Sequence, residues 1–340
     1  MLDTSITRPT DNSATRVVAI CGGVGGAKLA NGVYGVLGPD ALSVCINTGD
    51  DFEHLGLHIS PDIDTVTYTL AGLNNPKTGW GRKDETWNFM ETLGSLGGDT
   101  WFSLGDRDIA LHLERTTRLK QGQTLSQITQ DFAKELGITA NLFPMSDDPV
   151  RTRIETHEGI FDFQDYFVRL RCQPEVQRIF FEGADTAKPS ADLLNALAAP
   201  DLHAVVICPS NPYLSIDPIL EIPGIKRALA DCLAPVIAVS PLIGGQAVKG
   251  PTSKIMSELS LPSTARAISE HYDGLIDGFV IDEIDQLQAT EITVPTLVTK
   301  TLMKNSRDQQ NLAIDVLEFA AHQTQDYVDD SQIIKHLKKG

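Results

Sequence analysis

The chain has 340 residues, of which 41% are hydrophobic and 21% charged, and a formal net charge of −17 at pH 7. This length suits one large α/β domain or a core with an added subdomain. The acidity disfavours nucleic acid as a partner, because attraction to phosphates needs a basic surface. No run of 18 or more apolar residues occurs, so we predict no membrane span and no membrane partner.

The two ends of the chain lack signals for packed structure. Residues 1–15 are polar, without the basic start and apolar stretch of a signal peptide, and we predict a disordered tail there. Residues 326–340 are predicted to form a second tail. The five cysteines are scattered and odd in number, which is typical of reduced thiols, so we expect a cytoplasmic protein.

Short β-branched apolar runs alternate with helix-length segments along the chain. The runs predict strands over residues 16–20, 42–46, 204–208, 235–239 and 278–281. Helical spacing of apolar residues predicts helices over residues 28–37, 124–136 and 305–322. Continuous apolar strands alternating with helices indicate a parallel sheet that is covered on both faces.

We therefore predict an α/β fold that is Rossmann-like and doubly wound, with a mainly parallel sheet. Residues 138–181 differ from the rest, since they contain alternating apolar patterns such as that at 159–163. We interpret them as an inserted mixed α/β subdomain. The nucleotide-binding core then comprises residues 16–137 and 182–325.

A glycine-rich loop directly follows the first predicted strand and opens a helix. Its four glycines are Gly22, Gly23, Gly25 and Gly26. Glycines let the backbone approach a phosphate closely, and a helix start supplies free amides and a positive dipole. Lys28 stands where the last glycine of a dinucleotide fingerprint belongs, and no Walker lysine–serine pair is present. The alternative is a tight turn that needs glycine only for packing.

Four aspartates follow the second predicted strand at short spacing. Asp50 and Asp51 end one loop, and Asp62 and Asp64 lie in the next segment. Ligands of open α/β sheets bind beyond the carboxyl ends of the strands, where both segments would lie. Carboxylates with little basic compensation suit a hard cation such as Mg²⁺. The alternative is that Asp62 and Ser60 only cap helices.

Polar turns at later positions are further candidates for ligand contact. The segments are residues 105–108, 144–150, 209–212 and 240–251. Such turns at successive strand ends are where a base, ribose and phosphates would be held. Each segment also has a structural interpretation, an ordinary turn or, for Arg107, a salt bridge between carboxylates.

Taken together, the motifs resemble the CofD family, the 2-phospho-L-lactate transferases of coenzyme F420 biosynthesis. The segments that carry the likeness are residues 22–28, 47–51, 60–65, 104–108, 144–148, 210–212 and 240–244. The likeness runs from the first strand to about Asp285, and residues 79–87 look most like the bacterial branch of the family. The resemblance implies a Rossmann-like nucleotide fold and a homodimer.

The resemblance also implies a reaction. A phosphorylated three-carbon acid would move from its guanosine diphosphate ester to the terminal ribityl hydroxyl of the deazaflavin Fo, and GMP would leave. We expect Asp50, with Asp62 or Asp64, to hold Mg²⁺ against the diphosphate. Asp64 is the preferred residue to orient or deprotonate the Fo hydroxyl.

The remaining contacts expected from the motifs are to the substrates. The predicted substrate-binding residues are Gly22, Gly23, Gly25, Gly26, Lys28, Asp62, Thr65, Arg107, Met145, Ser146, Asp147, Ser210, Asn211, Pro212 and Gly244. Some family members have a basic residue thought to contact the deazaflavin where this chain has Ser103. Arg82 or Lys83 is a nearby source of positive charge.

Two other functions are consistent with parts of the pattern. A CofD-like regulatory protein would share the glycine loop and bind nucleotide sugars without F420 chemistry, and the 105–108 and 145–148 segments favour the transferase. An NAD-dependent dehydrogenase is disfavoured by the incomplete fingerprint. The sequence leaves the acid open among enolpyruvate, lactate and glycerate, with the bacterial likeness favouring enolpyruvate.

Overall fold

A computed structural model describes residues 15–248 and 250–323. The strands are β1 (Arg16–Cys21), β2 (Leu42–Ile46), β3 (Phe52–His54), β4 (Leu57–Ile59), β5 (Asn141–Pro144), β6 (Arg151–Thr156), β7 (Gly159–Asp162), β8 (Val176–Glu182), β9 (Leu202–Ile207), β10 (Val236–Val239), β11 (Leu242–Ile243), β12 (Gln246–Ala247), β13 (Gly278–Asp282) and β14 (Thr296–Thr299). The predicted tails lie almost entirely outside these described residues.

The α-helices are α1 (Gly23–Val36), α2 (Pro61–Leu70), α3 (Asn88–Ser95), α4 (Asp106–Lys120), α5 (Leu125–Glu135), α6 (Ala191–Leu197), α7 (Asp217–Leu220), α8 (Ile225–Ala230), α9 (Thr252–Glu258), α10 (Ala265–His271) and α11 (Ser306–Ala321). Two π-helical turns cover Asp165–Arg169 and Pro212–Ile216, and a 3₁₀ segment covers Glu283–Glu291. Within the described residues, none of the helices has both the length and the apolarity needed to cross a bilayer.

Seven parallel strands form the central sheet in the order β14-β13-β10-β9-β1-β2-β5. From β1 the chain first adds β2 and β5 on one side and later β9, β10, β13 and β14 on the other. The order therefore reverses between β1 and β9, which is the switch point of a doubly wound sheet. The predicted Rossmann-like fold class is confirmed.

Alternating side chains of β1 show how the sheet is covered. Val18 and Ile20 belong to one hydrophobic cluster, packed with α6, α8, α9 and α10. Val17 and Ala19 belong to the other, packed with α1, α2, α5 and α11. Both faces of β1 are buried, so its sequence is a continuous apolar run. Burying each Val or Ile side chain stabilises the fold by about 1.5–3 kcal/mol.

Residues 138–181, predicted to be an inserted subdomain, divide between two sheets. Strand β5 pairs with β2 through Cys45 and Phe143, so the beginning of the 138–181 segment is the edge of the central sheet. The added part is the antiparallel sheet β7-β6-β8, whose central strand pairs on both sides. In the sequence, the alternating apolar pattern of this added sheet looks like that of an edge strand such as β5. The predicted segment therefore included β5.

Candidate functional site

A cavity of about 680 Å³ opens at the carboxyl ends of β1, β2 and β9, next to the switch point of the sheet. Ten of the predicted site residues line it: Gly22, Gly23, Gly25, Lys28, Asp50, Asp62, Asp64, Thr65, Ser210 and Asn211. The parallel strands bring these distant segments together because their carboxyl ends share one sheet edge. The remaining predicted residues lie outside the lining.

The glycine loop packs tightly against two neighbouring segments. The Gly22 amide donates to Ser210 Oγ at 3.1 Å, and the Gly23 amide donates to Asp62 Oδ1 at 2.6 Å. A Cβ at Gly22 would lie 2.3 Å from Asp62 Oδ2, and one at Gly25 would lie 2.3 Å from the Pro209 carbonyl oxygen. Close approach therefore requires both glycines, and the loop has a packing role as well as a candidate phosphate-binding one.

Asp50 and Asp62 are buried and converge on one amide. Asn47 Nδ2 donates to Asp62 Oδ2 at 3.0 Å and to Asp50 Oδ1 at 3.3 Å. Burial, followed by the charges of Asp62 and Asp51, raises the pKa of Asp50 well above its usual value. Burial likewise raises the pKa of Asp62 to about 6. Two buried carboxylates this close are an unfavourable arrangement unless a proton or a cation joins them.

The donor chemistry of this pair fits Mg²⁺. Both side chains offer carboxylate oxygens, the ligands that a hard cation prefers. Among residues 15–248 and 250–323, no three His, Cys, Asp or Glu side chains are placed to hold a metal by themselves. A Mg²⁺ ion held by Asp50 and Asp62 would therefore take its other ligands from water and substrate phosphates, as is usual for this ion.

Asp64 forms a buried ion pair with Arg115. Arg115 of α4 is 1% exposed and donates to both carboxylate oxygens of Asp64. Its Nη1 donates to Oδ2 at 3.2 Å, and its Nη2 is in close contact with Oδ1. His112 Nδ1 lies 3.6 Å from the same carboxylate. A carboxylate that accepts two guanidinium donors has little capacity left to take a proton. In the structure the Asp64 carboxylate is therefore engaged by Arg115, while Asp50 accepts only from neutral amides among the side-chain bonds described.

The 105–108 segment takes part in capping two helices, α4 and α3. Glu85 accepts from the amides of Arg107 and Asp108 at the start of α4, at 2.9 and 3.2 Å. Asp106 in turn accepts from the amides of Asn88 and Phe89 at the start of α3, at 3.2 and 3.0 Å. The Arg107 side chain is exposed and lies outside the cavity lining.

Asp108 is the member of that segment that reaches the cavity. Its Oδ1 accepts from the Tyr68 hydroxyl at 2.6 Å, and both residues belong to the lining. Burial is the main cause that raises the pKa of Asp108 to about 6. Ser103 also lines the cavity with an exposed side chain.

The 144–148 segment lies behind the site. Met145 is fully buried in the core beside β5, and its amide donates to the Ile46 carbonyl. Ser146 Oγ donates to the Lys188 carbonyl at 2.6 Å, and Asp147 accepts from the Ser126 amide at 2.7 Å. All three residues therefore lie outside the cavity lining and make contacts within the protein.

The loop after β9 combines a lining role with a structural one. Asn211 Oδ1 accepts from the amides of Tyr213 and Leu214, which starts the π-helical turn, and its buried Nδ2 has no hydrogen-bond partner among the residues that the structure describes. That donor is available to a ligand. Pro212 is buried within the turn. Gly244 donates its amide to Asp285 outside the lining.

Several lining residues were not found from the sequence. The aromatic wall consists of Trp80, Trp101, Phe102, Phe163 and Phe167. Phe163 and Phe167 stack with ring centroids 5.4 Å apart, and Arg169 lies over the Trp101 ring. Gln164 and Met303 also line the cavity, with Lys28 Nζ donating to the Met303 carbonyl at 2.8 Å. Trp80 and Phe163 lie in segments that the sequence analysis singled out, but nothing in those segments indicated which side chains would face a ligand.

Comparison with known proteins agrees with this arrangement. Residues 17–322 match the family model of 2-phospho-L-lactate transferase CofD. The phosphoenolpyruvate transferase of Kitasatospora aureofaciens is 43% identical over 282 residues, which cover 80% of this chain and 86% of that protein. The 2-phospho-L-lactate transferase of Methanocaldococcus jannaschii is 38% identical over 307 residues, which cover 89% of this chain and 97% of that protein.

A solved structure shares the fold at low sequence identity. It is a UPF0052 family protein of Bacillus halodurans, with a TM-score of 0.59, 15% identity, and coverage of 89% of this chain and 99% of that one. At this identity the likeness concerns the fold alone. The match to the family model over most of its length, joined to the curated relatives, places this chain in the CofD family.

Proposed function

We propose that this protein transfers a phosphorylated three-carbon acid from a guanosine diphosphate ester to the terminal ribityl hydroxyl of the deazaflavin Fo. In that reaction the hydroxyl oxygen forms a bond to the phosphorus that bears the acid. The bond from that phosphorus to the GMP oxygen breaks, GMP leaves, and the hydroxyl proton passes to a carboxylate or to water. The product is coenzyme F420-0 or its dehydro form.

The observation that carries the proposal is the position of the Asp50–Asp62 pair beside the glycine loop at the switch point. Phosphoryl transfer needs positioning and charge neutralisation more than covalent chemistry. Mg²⁺ held by this pair would neutralise charge on the diphosphate. Asp50, which lines the cavity at this pair, would also orient the attacking hydroxyl.

The two substrates would occupy chemically distinct parts of the cavity. Gly22–Gly26 amides not already bonded, Ser210 and Asn211 would hold the guanosine diphosphate portion. The aromatic wall is suited to a flat ring system such as that of Fo, because aromatic side chains pack against extended rings by offset stacking or edge contacts. The wall also fits the absence of a basic residue at Ser103, since apolar contact replaces charge there.

Three finer points belong to the same proposal. Enolpyruvate is the acid that we favour, because the relative quoted above at the higher identity, 43%, is a phosphoenolpyruvate transferase. A homodimer follows from the family resemblance. A cytoplasmic location agrees with the five free thiols.

The test is a transfer assay with purified protein, Fo, Mg²⁺ and each of the three activated donors. Mass spectrometry of the deazaflavin product identifies the acid, and GMP release gives the rate. We expect product with at least one donor, and we expect Asp50→Asn to lower turnover about 100-fold or more at saturating Mg²⁺. Wild-type protein that binds Fo without forming product would instead indicate a binding protein, and near-normal turnover of the variant would refute the role of Asp50.

A further inference from the structure

We propose that Gln164 is a positioning residue that holds the Asp50 carboxylate in its cation-binding orientation. The inference rests on the proposed function in one respect, the assignment of Asp50 as a Mg²⁺ ligand. It adds a residue from the inserted sheet to a site otherwise built from the nucleotide-binding core. No sequence motif predicted this contact.

Gln164 reaches the site from a distant part of the chain. It follows β7 and directly precedes the Asp165–Arg169 π-helical turn. Its side chain is 5% exposed, lines the cavity and donates from Nε2 to Asp50 Oδ2 at 3.3 Å, across 114 residues of sequence. Single π-helical turns are rare and are often placed at functional sites. The turn thus brings one buried amide to the carboxylate cluster.

The two oxygens of Asp50 each receive one neutral donor. Asn47 Nδ2 donates to Oδ1 and Gln164 Nε2 to Oδ2, both at 3.3 Å. One bond on each oxygen fixes the plane of the carboxylate, whose terminal torsion is otherwise broad. Neither amide brings a charge, so the two bonds orient Asp50 without supplying the positive charge that a bound cation would bring. Asp64, two residues beyond Asp62, is neutralised by Arg115 instead.

The backbone that presents Gln164 is itself anchored. Tyr166, two residues later, is fully buried and donates from its hydroxyl to the Pro174 carbonyl at 3.2 Å. Lys254 of α9 donates to the same hydroxyl at 3.0 Å. The Gln164 amide is therefore held in place before any ligand binds, and preorganised donors lose little freedom when a ligand arrives.

The size of the effect follows from the bond. A hydrogen bond to a charged group contributes about 1.5–3 kcal/mol. At 3.3 Å the Gln164 bond belongs at the lower end, which corresponds to about a tenfold change in an equilibrium constant. Gln164→Met keeps the length and most of the volume of the side chain and removes the donor. We expect this variant to bind a divalent cation about tenfold more weakly.

The experiment measures Mn²⁺ binding to the full chain in the presence of GDP, by electron paramagnetic resonance of the free ion. Gln177→Met is the matched control, since Gln177 is an exposed residue of β8 in the same inserted sheet. We expect its Mn²⁺ affinity to equal that of the wild type. Gln164→Asn, one methylene too short to reach Asp50, should weaken Mn²⁺ binding as Gln164→Met does, and it serves if the methionine variant fails to fold.

Two failures are distinguishable. Equal Mn²⁺ affinity in the wild type and the folded Gln164 variant would overturn the positioning role and leave the transferase proposal intact. Absence of Mn²⁺ binding by the wild type would overturn the cation assignment to Asp50 on which both depend. Weakened Mn²⁺ binding in the Gln164 variants alone, with an unchanged KM for Fo in the transfer assay, supports the inference.

Discussion

The buried Asp64–Arg115 pair provides a direct test of how this site is held together. The perturbation is Arg115→Met, which removes the guanidinium and leaves the Asp64 carboxylate, at 6% exposure, without its cationic partner. The His112 imidazole, 3.6 Å away, does not replace that charge, because burial lowers the pKa of His112 to about 4. Removing one partner of a buried ion pair costs about 3–5 kcal/mol, because a charge remains buried without compensation. Asp51 and Asp62 lie close by in sequence and add negative charge rather than relieving it. We therefore expect a loss of unfolding free energy in this range.

The assay is urea unfolding followed by far-UV circular dichroism, with two comparison variants. The double variant Asp64→Leu/Arg115→Met replaces the pair by apolar side chains and should recover most of the loss. Arg227→Met removes a partner of the exposed Arg227–Asp231 pair and should change stability by about 0.5 kcal/mol or less. A loss below about 1 kcal/mol in Arg115→Met, or no recovery in the double variant, would refute the argument.

Two further predictions concern the loop and the cavity. Gly25→Ala should weaken GDP binding by about tenfold or more in calorimetry, because its Cβ would lie 2.3 Å from the Pro209 carbonyl oxygen. Gly38→Ala is the control and should bind GDP normally, because a Cβ there would have nothing within 4 Å among the described residues. Asp108 has a pKa raised by burial from 3.8 to about 6, so it contributes stability below about pH 3.8 that is lost as the pH rises to about 6. Without divalent cations, the free energy of unfolding of the wild type should therefore fall relative to that of Asp108→Asn as the pH rises from about 3.8 to about 6. The same pH dependence of the unfolding free energy in both proteins would contradict the assigned burial.

The fold was accessible from the sequence because its signals are local. The apolar runs of β1 and β2 stand within one residue of their observed bounds, since strands buried on both faces leave no polar interruption. The helix predicted over residues 124–136 is α5, which Thr124 caps with a full capping box to Gln127. Strand β5 was assigned to the insertion because its partner, β2, lies about a hundred residues earlier.

The site was only partly accessible for a related reason. A motif shows which residues stand at a strand end, and it does not show which partner each side chain meets. Asp62 and Asp64 are two residues apart, yet one faces Asn47 and the Gly23 amide while the other faces Arg115 of α4. Arg107 and Asp108 diverge in the same way, one toward solvent and one into the cavity. Such choices depend on long-range packing.

The division of the cavity lining between chain segments has a consequence for how this protein can change. The glycine loop follows β1, Asp50 follows β2 and Asp62 lies in the first turn of α2, whereas the aromatic wall comes from residues 80–102 and 163–167, outside the central sheet. Under the proposed function, substitutions in those peripheral segments would reshape the surface offered to the deazaflavin without altering the strands whose ends carry the glycine loop and Asp50. A redesign of acceptor choice would begin there, and it would leave Gln164 in place as the one peripheral side chain bonded to Asp50 among the described residues.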